Sequence, residues 1–167
     1  MKGIIAIVFF ISIVVASVFT IGYLKNPIYE GTISKTFNEP VDSIYSFCIN
    51  IELYNDYRDD LLGMEVLETN KYGIRIWQEF DLDGGIDIYE LLGKNENISI
   101  SYRRTNSSSA TSGEIHYRLS GNESSCLLRI EEVSKYEDPF FNFLRIFTGS
   151  DHYLKSRMSA VELHFSN

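Results

Sequence analysis

The first part of the chain is one uninterrupted apolar run. Residues 4–24 contain no charged side chain, and Lys2 and Lys25 lie on either side of them. A helix over this run is about 31 Å long at about 1.5 Å per residue, which matches the hydrocarbon thickness of a bilayer. The pattern predicts a membrane-spanning anchor over residues 1–25, followed by a linker over residues 26–31.

Two other interpretations of the run stay open at this stage. Lys2 and the small-residue pattern at residues 20–22 are compatible with a cleaved secretory signal, which would leave a secreted domain, although signal cores are usually about 7 to 15 residues long. A buried core helix would need protein on all sides, because the run has no polar face. Lys2 precedes the run and acidic residues follow Lys25, a bias that favours a cytoplasmic N-terminus and an extracytoplasmic domain.

The pattern over residues 32–167 predicts one separate domain. A first strand over residues 31–37 leads into two short helices over residues 40–48 and 51–58, where apolar residues recur at helical steps. The period then changes to two, which predicts six further antiparallel strands. These strands cover residues 64–68, 74–80, 86–92, 97–104, 114–120 and 126–136.

The last predicted element is a long amphipathic helix that opens at Pro139. Its apolar residues are Phe140, Phe143, Leu144, Phe147, Leu154, Met158, Val161 and Phe165. Residues 149–150 predict a bend or a short break, since glycine costs about 1 kcal/mol relative to alanine inside a helix. An antiparallel sheet of about seven strands needs cover for its apolar face, so we expect an α+β fold in which a curved sheet grips this helix. The phenylalanines at the start of the helix are expected to pack on the sheet.

Charge argues against one class of partner. Residues 26–167 hold all 23 acidic residues and 13 of the 15 lysines and arginines, which leaves a net charge of −10. Nucleic acids are bound by clustered Lys and Arg that displace counterions, and Arg103-Arg104 is the single adjacent basic pair in the sequence. We therefore expect no nucleic-acid partner.

The metal-ligating residue types show no convergent spacing. The three histidines, His116, His152 and His164, are far apart in sequence, and neither HExxH nor paired CxxC is present. We expect no metal and no cofactor. Cys48 and Cys126 are compatible with a disulfide in an exported protein, or with two free buried thiols.

Polar side chains interrupt the apolar sheet face that the alternation predicts. A buried amide, carboxylate or phenol is costly unless it is paired, and ligand pockets are mostly apolar with a few such groups. The candidate pocket residues are Gln78, Glu90, Tyr102, Tyr117, Ile76, Ile88 and Ile100 from the strands, with Phe147 and Met158 from the last helix. The alternative is that the polar members reach solvent or bond one another in a core. Trp77 and Tyr89 fall on the opposite face unless a bulge turns them inward.

Residues 33–45 (Ile-Ser-Lys-Thr-Phe-Asn-Glu-Pro-Val-Asp-Ser-Ile-Tyr) and the Asp-Pro-Phe-Phe opening of the last helix complete a recognisable order of elements. Over residues 29–165 this order resembles the START-like (SRPBCC) superfamily, in particular its polyketide cyclase/dehydrase and lipid-transport branch. The resemblance implies a helix-grip fold with an apolar cavity, commonly used for lipids, sterols or polyketides. No catalytic motif carries over to this sequence.

Three functions are consistent with these features. The first is membrane-tethered binding of a hydrophobic small molecule or lipid between the sheet and the C-terminal helix, with residues 4–24 in the membrane. The second is a cyclase- or dehydrase-type enzyme in the same cavity, with Glu90 and Tyr102 or Tyr117 as acid–base groups. The third is an envelope interaction module with a filled core and no ligand. The sequence gives no indication of an oligomeric state.

Overall fold

The N-terminal apolar run is one helix, α1 (Lys2–Leu24), in the computed structural model, which describes residues 2–71, 73–108, 110–148 and 151–166. With a mean hydropathy of 3.0 over Gly3–Leu24, α1 is long and apolar enough to cross a membrane. Only residues 25–27 separate it from the first strand, which begins at Ile28 rather than at the predicted residue 31. The strand starts early because Ile28 already pairs with Lys135.

Seven antiparallel strands form one curved sheet, which confirms the predicted fold class. They are β1 (Ile28–Phe37), β2 (Leu61–Asn70), β3 (Gly73–Asp81), β4 (Ile86–Asn95), β5 (Ser99–Ser107), β6 (Thr111–Gly121) and β7 (Cys126–Tyr136), in the spatial order β1-β7-β6-β5-β4-β3-β2. Gly84 has a φ of +80°, which the tight turn between β3 and β4 requires and which glycine adopts without steric cost.

Two short helices, α2 (Val41–Ile49) and α3 (Ile51–Asn55), follow β1, and α5 (His152–Phe165) covers the inner face of the sheet. The side chain of Asn50 accepts a hydrogen bond from the backbone N–H of Leu53 at 3.2 Å, which caps the start of α3. On α5, Leu154, Met158 and Val161 are buried in the core. The sheet and α5 therefore enclose the interior where a ligand site was predicted.

The predicted C-terminal helix is formed by two helices, α4 (Pro139–Thr148) and α5. The break predicted at residues 149–150 lies outside the described residues. The expectation that the phenylalanines of this helix pack on the sheet is wrong for Phe140 and Phe147, which are exposed. Instead α4 packs against the end of α1, and the Phe19 and Phe140 rings lie 6.5 Å apart.

Both cysteines are free thiols. Cys48 on α2 and Cys126 at the start of β7 are buried in the core. Burial raises the pKa of the Cys48 thiol, so this group stays protonated at neutral pH. Neither side chain is accessible for reaction in the folded protein.

Candidate functional site

The inner face of β3 and β4 carries charged and aromatic residues. Trp77 and Glu79 on β3 are buried, as are Asp87 and Tyr89 on β4. The indole of Trp77 stacks on the ring of Tyr89 with centroids 5.5 Å apart. The register that assigned the aliphatic residues of these strands to the interior is therefore wrong.

Four candidate pocket residues consequently lie on the outer face of the sheet. They are Ile76, Gln78, Ile88 and Glu90, which alternate with the buried residues of β3 and β4. The amide of Gln78 donates to Glu65 Oε2 at 2.6 Å, and Glu90 Oε1 pairs with Arg75 Nη2 at 3.2 Å. Glu90 therefore does not serve as an acid–base group in the interior.

The candidates on β5 and β6 lie where the alternation predicts them. Ile100, Tyr102 and Tyr117 are all buried on the inner face. The hydroxyl of Tyr102 donates to the backbone oxygen of Cys48 at 3.1 Å, and the hydroxyls of Tyr54 and Tyr117 lie 3.1 Å apart. Burial raises the pKa of each of these phenols, so they remain protonated at neutral pH. These tyrosines bond within the core.

Glu79 is the centre of a buried ion cluster. Its Oε1 accepts a hydrogen bond from Trp77 Nε1 at 3.0 Å, and its Oε2 lies 3.4 Å from Arg157 Nη2 and 3.7 Å from Arg58 Nη1. Arg58 also binds Asp60 through Nε at 2.6 Å and Nη2 at 2.7 Å. Such a cluster is stable only because each cation has an anionic partner.

A second buried ion cluster forms around Arg104 on β5. Its Nε lies 3.2 Å from Asp87 Oδ2 and donates to the Tyr89 hydroxyl at 3.1 Å, and its Nη2 lies 3.6 Å from Glu132 Oε1. The guanidinium also lies over the ring of Tyr153 on α5, 5.3 Å from its centroid. Together the two clusters place charged and aromatic side chains between β3, β4, β5 and α5, where the resemblance implies an apolar cavity.

An acidic depression of about 270 Å³ opens beside these clusters, at the N-terminal end of α5. It is lined by Asp59, Asp60, Asp81, Leu82, Asp83, His152 and Tyr153. Asp60 belongs both to this depression and to the Glu79 cluster, because it also binds Arg58. A larger, more open groove of about 920 Å³ lies between the start of α2 and the turn that joins β6 to β7.

Two carboxyl groups in the acidic depression have opposite pKa shifts. Burial alone would raise the pKa of Asp60, but hydrogen bonds and charge from Arg58 outweigh it and lower the pKa to about 2. Burial, followed by repulsion from Asp87 and Glu79, raises the pKa of Asp81 to about 6. Asp60 is therefore ionised at neutral pH, whereas Asp81 exchanges a proton near pH 6.

Solved structures match most of the chain. No protein-family model and no curated protein matches it. A START superfamily protein from Mycobacterium smegmatis has a TM-score of 0.68 at 16% identity, over 82% of this chain and 97% of that one. The chain has the START-like helix-grip fold.

Two further neighbours of the START-like domain are enzymes by name. The aromatase/cyclase Zhui from a Streptomyces species has a TM-score of 0.69 at 13% identity, over 83% of this chain and 94% of that one. Norcoclaurine synthase from Thalictrum flavum has a TM-score of 0.63 at 8% identity, over 84% and 88% of the two chains. At these identities the likeness concerns the fold, and function depends on the side chains of the site.

The remaining candidates of the START-like domain are divided between its core and its surface. Met158 packs in the core on α5, whereas Phe147 is exposed on α4 and does not face the interior. The ring of His164 stacks on Phe47 with centroids 4.2 Å apart. Among the described residues, no group of three or more histidines, cysteines or carboxylates is arranged to hold a metal ion.

The sequence analysis did not predict the charged residues that are buried in the interior of the START-like domain. Arg104 shares the alternation of Ile100 and Tyr102, so its inward position was detectable on β5. Arg157 lies three residues after Leu154 and next to Met158, within the apolar stripe of α5. An arginine at an apolar position indicates a buried carboxylate partner, and this signal was available in the sequence.

The raised pKa of Asp81 predicts a pH-dependent effect of its removal. The neutral form is favoured in the folded START-like domain, so the wild type loses stability as pH rises from about 4 through about 6. Asp81→Asn should therefore raise the free energy of unfolding by about 1 kcal/mol at pH 7.5, after allowance for solvent screening, and have little effect at pH 4. Thermal melts of the intact chain in detergent at both pH values measure this difference.

Asp83→Asn provides the matched control for Asp81→Asn, because Asp83 lines the same depression but is exposed. We expect its stability change to be smaller at pH 7.5. An Asp81→Asn variant that is destabilised at pH 7.5, or that is stabilised equally at both pH values, would contradict the electrostatic account.

Proposed function

We propose that this START-like chain is a membrane-tethered domain that binds a small apolar or amphiphilic molecule at the N-terminal end of α5. The acidic depression beside Tyr153 carries the proposal, because it is a concave site that adjoins the buried Glu79 cluster through Asp60. The START-like fold supports the same reading. Small-molecule sites are usually concave, with a few polar groups that fix the orientation of the ligand.

The walls of the depression favour one kind of polar end in the ligand. Leu82 and the Tyr153 ring offer apolar surface, and four aspartates offer carboxylate oxygens. Ionised carboxylates only accept hydrogen bonds, so they pair best with an amine or another donor. At about 270 Å³ the space suits a head group or a single ring, since whole drug-sized ligands occupy about 300 to 1,000 Å³.

Tethering by α1 supports the proposal. A molecule that leaves the bilayer reaches a nearby site without crossing much water, and the tether raises the local concentration of that site at the membrane. The proposed placement is a single-pass anchor with the domain on the extracytoplasmic side, because Lys2 precedes α1 and acidic residues follow it.

Three ring compounds that differ only in the polar group test this function. Benzylamine, benzyl alcohol and benzoate are titrated by calorimetry into the intact chain in nanodiscs, with empty nanodiscs subtracted. We expect benzylamine to bind at least about tenfold more tightly than benzyl alcohol, which corresponds to about 1.4 kcal/mol, because the carboxylates attract its ammonium group. Benzoate should bind more weakly than benzyl alcohol.

A paired substitution locates the binding. Asp81→Asn combined with Asp59→Asn should remove most of the preference for benzylamine, whereas Glu123→Gln, in the groove beside α2, should leave it unchanged. Equal affinities for the three compounds would contradict the proposed chemistry. No binding of any of them would favour the interaction module with a filled core.

Proton transfer is a second candidate function, which the pKa of Asp81 favours. A carboxyl group with a pKa of about 6 in a depression is suited to general acid–base work near neutral pH, and Tyr153 lines the same space. If this START-like domain is an enzyme, its rate should change with a midpoint near pH 6. Asp81→Asn should then abolish turnover but retain binding.

A further inference from the structure

Helix α4 has its polar and apolar sides reversed relative to a helix on the surface of a soluble protein. Two polar residues in the middle of α4, Asn142 and Arg145, are only 2% and 8% exposed. Its apolar side chains Phe140, Ile146 and Phe147 are 41%, 48% and 70% exposed. In water an amphipathic helix buries its apolar side, so α4 is arranged for a different surrounding medium.

The polar side of α4 is bound to the end of the anchor. Asn142 Nδ2 donates to the backbone oxygens of Gly22 at 2.7 Å and Lys25 at 2.9 Å. Arg145 Nη2 donates to the backbone oxygen of Asn26 at 2.8 Å. The last carbonyl groups of a helix lack partners within the helix, so these bonds fix α4 to the end of α1.

The position of α4 along α1 determines its depth. Phe140 lies beside Phe19, which is five residues before Leu24 and therefore about 7.5 Å from that end of the helix. If α1 spans the bilayer, Phe140 lies at the level of the outermost acyl groups. Phenylalanine and isoleucine are suited to this boundary, where an amphipathic helix buries its apolar side about 5 to 10 Å deep.

We propose that α4 is an interfacial helix whose exposed side, formed by Phe140, Ile146 and Phe147, inserts into the phospholipid bilayer beside α1. Arg145 is the only charged residue of α4, and it is directed toward the domain, so no charge opposes insertion of the exposed side. The inference rests on the proposed membrane anchoring and adds a second contact with lipid. That contact fixes which part of the domain faces the bilayer.

Insertion of α4 brings the acidic depression close to the membrane surface. His152 lines the depression and follows Phe147 by five residues, so the two lie within about 18 Å of each other even if the intervening chain is fully extended. The depression then lies beside the lipid headgroups. A molecule that leaves the bilayer beside Phe147 would then have at most about 18 Å to travel to His152 in the depression.

Site-specific fluorescence in nanodiscs of phosphatidylcholine with phosphatidylglycerol tests the insertion. Phe147→Cys of the intact chain is labelled with bimane, whereas Cys48 and Cys126 are buried and do not react. Nitroxide attached to lipid should quench this label at least about threefold more strongly than a label at Glu123→Cys, because an interfacial helix lies about 5 to 10 Å deep. Iodide in water should show the opposite order.

Glu123 is a suitable reference position because it is exposed beyond Cys126, at the far end of β7 from the anchor. Tyr136, at the near end, donates to the backbone oxygen of Pro27 at 2.9 Å, and a strand of this length spans about 35 Å. A label at Ile13→Cys, in the middle of α1, reports on the anchor itself.

The labels at positions 13 and 147 distinguish two ways in which the inference can fail: α4 does not insert into the bilayer, or α1 does not anchor the chain in it. Quenching by lipid at position 13 together with free access of iodide at position 147 would overturn the insertion of α4 and leave the anchor intact. Free access of iodide at both positions would overturn the anchoring and the insertion together. Quenching by lipid at both positions, with iodide access at position 123, supports the inference.

Discussion

Replacement of Glu79 by glutamine should lower the free energy of unfolding by about 3 to 5 kcal/mol, because it leaves the buried guanidinium of Arg157 without its anionic partner. Glu79 pairs with Arg157 at 3.4 Å, and the described residues provide no other carboxylate within ion-pair distance of Arg157. The variant keeps the size of the side chain, so the loss reflects charge and hydrogen bonding rather than a cavity. Since small domains are stable by only about 5 to 15 kcal/mol, the variant should be marginally folded.

Glu90→Gln is the matched control, because it makes the same chemical change on the neighbouring strand. Glu90 faces outward and pairs with the exposed Arg75, so its removal should cost about 0 to 1 kcal/mol. Urea denaturation of the three proteins in detergent, followed by circular dichroism, measures both effects. A larger loss for Glu90→Gln than for Glu79→Gln would mean that the strand register described above is wrong.

Replacement of Gly22 by leucine should separate α4 from α1. A Cβ atom at Gly22 would lie 1.8 Å from the backbone oxygen of Pro139, a distance that no side-chain rearrangement relieves. The two helices must therefore move apart, and the hydrogen bonds from Asn142 to the end of α1 are lost. A disulfide between Phe19→Cys and Phe140→Cys reports the contact, and its yield should fall at least about tenfold, equivalent to about 1.4 kcal/mol.

Gly3→Leu is the control for Gly22→Leu. Gly3 lies on the same helix, but a Cβ atom there would have no neighbour within 4 Å. Its cross-linking yield should equal that of the parent with the two introduced cysteines. Unchanged cross-linking in Gly22→Leu would show that α4 does not rest on this part of α1. In that case the membrane contact inferred for α4 would also be lost.

The order of helices and strands in the domain could be predicted because the hydrophobic periodicity of each element depends only on residues that are near each other in sequence. β7 was predicted at residues 126–136, which are its bounds in the structure, and the ends of the other strands differ from the predicted ones by three residues at most, with β5 beginning two residues later than predicted. Pairing across the sheet adds these end residues. Asn70 at the end of β2, for example, joins the sheet by pairing with Gly73, which no pattern within its own strand indicates.

The inner face of β3 and β4 could not be predicted from apolar alternation because its neighbours are charged. Trp77 and Glu79 face inward since Arg157 on α5 and Arg58 after α3 occupy the space opposite. A shift of register between Ile88 and Tyr89 places Tyr89 opposite Arg104 on the same side of the sheet. These contacts join residues that are far apart in sequence, so they could not be predicted from the pattern within one strand. The aliphatic residues of β3 and β4 favoured the opposite side of the sheet as the inner face.

The position of Phe147 was predicted wrongly for a related reason. Helical spacing shows which residues share a side of α4 but not which medium that side meets. Asn142 and Arg145 were the signal in the sequence for the orientation of α4. They are three residues apart, so they lie on one side of the helix, opposite Phe147. An apolar stripe close to a helix that is long and apolar enough to span a membrane is therefore consistent with contact to protein or to lipid.

The connection of only residues 25–27 between α1 and β1 restricts where the domain can act. Three residues reach about 10 Å when fully extended, and the bonds from α4 to Asn26 shorten that range further. If α1 is anchored in a bilayer, as proposed, the domain therefore stays next to the membrane surface and keeps one orientation there. A protein that exchanges the proposed ligand with this domain would then have to approach the membrane surface, because three connecting residues do not let the domain move away from it.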